Sequence, residues 1–177
     1  MPETQEQSPK IPPDIARYLA GATTESLQFD FLIGDWQVEG ARHDADGKIL
    51  LTYVGSWSAR YLHDRRMVMD DFTVYAPTGQ EVSAFVTLRT YCDAAKRWEM
   101  AGLAAFQPAI GGTWFGHWVD GEMLLAAEAP GPNGKTIKNE IRFFAIKPDG
   151  FRWQSRNSHD DGKTWSKIAS LAAARKT

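Results

Sequence analysis

From Trp36 onward, runs of alternating polar and apolar residues are interrupted at fairly even intervals by short clusters of Gly, Pro, Asp and Asn. That pattern leaves few folds open. The runs cover about 36–43, 51–62, 66–75, 81–91, 96–106, 113–119, 122–129, 136–147, 151–158 and 164–172, and each reads as a strand. The breaks between them, such as Asp44-Ala-Asp-Gly47 and Ala76-Pro-Thr-Gly79, suit hairpins. No connection is long enough to hold a crossover helix, so a parallel α/β sheet is excluded and an all-β, antiparallel up-and-down barrel of about ten strands is expected. Its turns must then alternate between the two ends. One end receives 63–65, 92–95, 120–121 and 148–150; the other receives 44–47, 76–79, 107–112, 130–135 and 159–163. The second set is longer and richer in Gly and Pro, as suits an open rim where ligands enter.

The stretch Leu27–Trp36 supplies a stopper for the first end. Phe29, Phe31, Leu32 and Ile33 can form one apolar turn, Gly34 allows a sharp bend, and Trp36 begins a strand with Val38 and Gly40 on its own face. Upstream, residues 1–10 read as a loose tail, and Ile11–Gly21 reads as a short helix. Its prolines sit in the first turn, Asp14 is near the N-terminus, and Ile15, Tyr18 and Leu19 form a stripe expected to cover apolar barrel surface. The chain accordingly divides into 1–26, tail and helix, and 27–177, the barrel. Its 177 residues, 43% of them hydrophobic, are enough for one proper core.

An apolar turn leading into Gly-x-Trp at the first strand resembles the opening of lipocalins and the wider calycin group. More closely, Phe29-Asp-Phe-Leu-Ile-Gly-Asp-Trp36 resembles the start of a bacterial lipocalin-like family with no settled function. Ser158-His-Asp-Asp-Gly-Lys-Thr-Trp165 resembles that family's ending. The same eight residues match the Asp box of sialidase propellers, but a single copy in a chain this short reads as a hairpin device. The resemblance to lipocalins further implies an arginine laid over Trp36, for which Arg89 and Arg175 are rivals.

Strand parity nominates the interior. In 51–62 the set Leu51, Tyr53, Gly55, Trp57, Ala59 and Tyr61 is the more apolar and faces in; so do Phe151, Trp153, Ser155 and Asn157, and Trp98 with Met100. Asp70 and Asp71 are adjacent, so one carboxylate must enter the barrel, where it needs Arg89, Arg142 or a tyrosine hydroxyl as partner. His117 is a candidate base or ligand, and if it points inward Trp114 and Trp118 are exposed. Glu140 and Arg142 share one face of their strand and can join an interior network or form an outer pair.

Three functions fit these residues. The first is a cytoplasmic module binding a hydrophobic or aromatic small molecule against Trp57, Phe85, Met100, Glu140, Trp153 and Asn157. The second is a cofactor-independent lyase, isomerase, cyclase or decarboxylase using Asp71 or Asp70 with Tyr61, Arg89 or His117. The third, implied by resemblance to the nitrobindin-like branch of the group, is haem binding through His117. The first two need no cofactor, and four scattered histidines offer no metal-site spacing. Lys and Arg total 20 against 22 Asp and Glu, which argues against a nucleic-acid partner. The N-terminus has no apolar signal core, no run reaches membrane-spanning length, and one cysteine, Cys92, excludes an internal disulfide. A cytoplasmic protein without membrane partners is expected, with a homodimer through the outer barrel face as a further expectation.

Overall fold

Alternation along the chain becomes ten antiparallel strands joined in sequence order, and the ring closes where the first meets the last. The computed structural model describes residues 10–105 and 110–177, with only the backbone of Ile110 and Asn133. The expected tail as far as residue 9, and residues 106–109 around the expected turn at 107–112, lie outside the described residues. The strands are β1 (Gly34–His43), β2 (Ile49–Leu62), β3 (Met67–Tyr75), β4 (Glu81–Cys92), β5 (Arg97–Ala104), β6 (Ile110–Val119), β7 (Glu122–Pro130), β8 (Thr136–Lys147), β9 (Gly150–Ser158) and β10 (Ser166–Arg175). The expected barrel is therefore the observed one. Several strands run past the ends their patterns suggest, β6 and β10 the furthest. β6 begins at Ile110 because Leu103 pairs with it across Gly111 and Gly112, and β10 continues to Arg175 because Trp36 on β1 takes it as partner.

The stopper forms from Thr24–Leu27 and Asp30–Leu32, two 3-10 turns that lead directly into β1. Phe29, Leu32 and Trp36 are fully buried there. The Trp36 indole N–H donates to Leu32 O at 2.7 Å, and Phe29 meets Trp98 edge-on at 4.7 Å. Arg175 covers Trp36 from outside, its guanidinium 4.1 Å from the ring, and it donates to Ile33 O and Pro148 O. Arg175 thus takes the place for which Arg89 was its rival. Gly34 is obligatory at this junction: its φ is +123°, and a Cβ would lie 2.5 Å from Arg175 Nη1.

The N-terminal helix α1 (Pro13–Leu19) is shorter than expected and covers no core. Ile15, Tyr18 and Leu19 remain exposed. It is tethered at the stoppered end, where Arg66 lies 4.2 Å over the Tyr18 ring and donates to Tyr18 O. The stripe at helical spacing is there, but it packs on no barrel surface.

Candidate functional site

Above the stopper the barrel holds a cavity of about 750 Å³, open toward the end that carries the longer turns. Its size is that of an ordinary small-molecule site. Trp57, Phe72, Phe85, Met100, Trp114, Phe143 and Trp153 supply aromatic and sulfur-bearing walls. Leu50, Leu51 and Val82 stand at the rim. Near the mouth Gly40 makes room for the Tyr53 ring, which a Cβ would meet at 2.3 Å.

The deep polar feature is a buried ion pair assembled by strand register. Asp70 pairs with Ala59 on one side and Thr87 on the other, so Trp57 and Arg89 fall on its two diagonals, all on the inward face. The carboxylate accepts from Trp57 Nε1 at 2.8 Å and Thr87 Oγ1 at 2.5 Å, and its second oxygen pairs with Arg89 Nη1. Asp70 and Arg89 are 2% and 3% exposed, so neither charge has water to fall back on. Burial pushes the Arg89 guanidinium down to about 9, which still leaves it charged at neutral pH. It also lies 5.0 Å over the Phe29 ring, tying the cavity floor to the stopper.

Trp57, Phe85, Met100, Trp153 and Asn157 stand on the cavity wall together with Asp70 and Arg89. Of the two adjacent acids Asp70 is the inward one; Asp71 is exposed on the outer face. Tyr61 faces inward but sits below the cavity, where its hydroxyl donates to Asp30 at 2.5 Å. Burial, then the Asp30 carboxylate, raises its pKa and keeps it protonated. His117 is exposed on the outer face, contrary to the inward placement considered for it. The cause is the opposite parity of β6. Trp114 donates to Asn139 within the barrel and Trp118 packs on Phe31, so neither is the exposed tryptophan that the dimer expectation rested on. Glu140 also lies outside the cavity, paired with Arg156 at 2.7 Å, and Arg142 pairs with Glu122. Burying Ile141 and Phe143 forces those alternate charged residues outward.

Sequence reasoning missed Arg42, Ser83, Asn139 and Trp114 as wall residues. A signal was present for Asn139, because it shares parity with Ile141 and Phe143. The remaining histidines serve elsewhere. His43 bridges Gly47 O and Ser170 Oγ, while His63 and His159 are exposed in turns. The eight-residue Asp-box match forms the hairpin expected of it: the Ser158 hydroxyl accepts from the Gly162 amide at 2.8 Å, and Asp160 accepts from the Thr164 amide and hydroxyl.

No family model matches the sequence, and no curated protein matches it. Solved structures do match the fold. The barrel is similar to Rv2717c from M. tuberculosis, with a TM-score of 0.62 and 13% identity over 88% of this chain and 99% of that one. It is also similar to the S-type phycobiliprotein lyase CPES from Guillardia theta, with a TM-score of 0.54 and 14% identity over 88% of this chain and 98% of that one. At these identities the likeness is one of fold alone, here a closed antiparallel barrel.

Proposed function

We propose that this protein is a cytoplasmic binding barrel for a hydrophobic or aromatic small molecule. The observation that carries the reading is the open cavity of about 750 Å³, walled by aromatic rings and floored by a charge pair that its own neighbours neutralise. The resemblance of the opening and closing motifs to a bacterial lipocalin-like family supports the same barrel role without naming a ligand. Among the described residues, no helix is long and apolar enough to cross a membrane.

Fold likeness to a protein named a lyase keeps catalysis as a second reading, with Asp70 the only carboxylate on the described wall. Trp57, Thr87 and Arg89 already contact that carboxylate, so about three of its four acceptor sites are engaged before any substrate arrives. Binding is therefore the better-supported role. A histidine-ligated haem does not fit the wall, because no histidine stands on it among the described residues.

Titration with Nile red, a neutral apolar dye, tests the reading. The expected result is saturable fluorescence enhancement at one dye per chain, lost in Ala169→Phe, which places a ring into the cavity from its β10 wall. Absence of saturable binding by the folded protein would sink it.

A further inference from the structure

Hydrogen-bond direction along one wall narrows the ligand class. The Trp114 indole can only donate, and it donates to Asn139 Oδ1 at 2.8 Å. That contact fixes the Asn139 amide, whose Nδ2 must then donate. It does so to Asn157 Oδ1 at 2.8 Å and Ser155 Oγ at 2.9 Å, with Arg156 O a longer third acceptor at 3.2 Å. The Asn157 amide is fixed in turn, because its oxygen is taken. Asn157 stands on the cavity wall and its Nδ2 has no protein partner among the described residues, which leaves that N–H to donate to whatever enters. Ser155 already accepts one bond, so its hydroxyl proton is free to do the same.

Charge points the same way. The described charges on the wall are Arg42, Asp70 and Arg89, two cations against one anion, and Asp70 is spent on Arg89. Arg42 has no carboxylate partner among the described residues. It lies on the same pairing row as Ser155, separated only by Ala169, which is too small to screen one from the other. The mouth of the cavity therefore presents a guanidinium, a carboxamide N–H and a hydroxyl to one region, with no free carboxylate facing them.

We infer that the barrel selects organic acids, with the ligand's apolar body against the aromatic wall and its carboxylate held by Arg42, Asn157 and Ser155. This rests on the binding reading above and adds the ligand's charge and orientation. A basic ligand is disfavoured because it would face Arg42 and meet no free carboxylate on the described wall. A neutral ligand fits the rings but forgoes the charge-assisted contact with Arg42.

The test is a matched series of naphthoic acid, naphthylmethanol and naphthylmethylamine, measured by isothermal titration calorimetry on the intact protein. The acid is expected to bind about tenfold or more tighter than the alcohol, as a charge-assisted pair allows, and the amine weakest. Arg42→Met should erase the acid's advantage while leaving alcohol affinity within about twofold. Asn157→Asp is the sharper variant, because its carboxylate still accepts from Asn139 while the donor facing the cavity becomes an anion. It should invert the order of acid and amine. Equal affinities for acid, alcohol and amine, or an unchanged order in Asn157→Asp, would overturn the inference and leave the binding reading standing. Failure of all three to bind, together with failure of Nile red, would overturn both.

Discussion

Asp70 and Arg89 are the residues on which the cavity floor depends, and their energetics are asymmetric. Taking both charges from water costs several kcal/mol each, and only their mutual attraction with the Trp57 and Thr87 hydrogen bonds offsets it. Asp70→Asn keeps an acceptor for Trp57 but strands the Arg89 charge. It should destabilise the protein by about 3–5 kcal/mol in urea denaturation, with most of the loss recovered in the double variant Asp70→Leu with Arg89→Met. A loss below about 1 kcal/mol in Asp70→Asn would mean the pair is not holding the floor. That one of the two adjacent acids enters the barrel was legible from strand parity alone. Which one was not, because β3 carries Val68, Phe72 and Val74 on one face and Met67, Met69 and Tyr75 on the other, so hydrophobicity does not separate them. Pairing with β4 decided it. The same ambiguity in β6, with Trp114 and Trp118 opposed by Phe115 and Val119, allowed His117 to be placed inward.

The hairpin from β9 to β10 shows an element whose sequence states its own structure. Ser158, Asp160, Gly162, Thr164 and Trp165 each satisfy a neighbour within the turn, Gly162 at a φ of +88°, and the Trp165 indole closes it by donating to Gly162 O. Hydrogen bonds from the Thr164 hydroxyl and amide, then from Ser158, hold the Asp160 carboxyl well below the usual carboxylate range. The unfolded chain therefore takes up this proton at a higher pH than the folded one does. The stabilisation is present above the ordinary carboxylate range and is lost as pH falls below it. Thermal melts between about pH 6 and pH 2 should show a steeper acid loss in the parent than in Asp160→Asn, and identical slopes would remove Asp160 from the account. Helix α1 is the contrary case. Its stripe at helical spacing was legible, but nothing local says whether a partner surface is vacant.

For the molecule as a whole, closure of β1 on β10 matters most, since it removes both sheet edges and seats Arg175 over Trp36. A chain ending at Ser170 would lose the pairing from Trp36 to Gly40 and the cover on the stopper. It should unfold broadly and associate with rising concentration, as read by denaturation and light scattering. A sharp transition with dye binding intact would show that closure is dispensable. The cavity exists because ten strands make a ring wider than their inward side chains can fill, with rings at the floor and small residues such as Ala169 and Ser155 nearer the mouth.

Sequence alone determined the strand order, the two unlike ends, the stopper and the last hairpin, because each follows from neighbours along the chain: parity, turn chemistry and short connections leave one antiparallel meander. Only the tertiary structure decided which acid is buried, that Trp114 rather than His117 faces inward, and that Asn139 orients Asn157. Those outcomes depend on contacts between strands distant in sequence, and a residue's own neighbours carry no record of them.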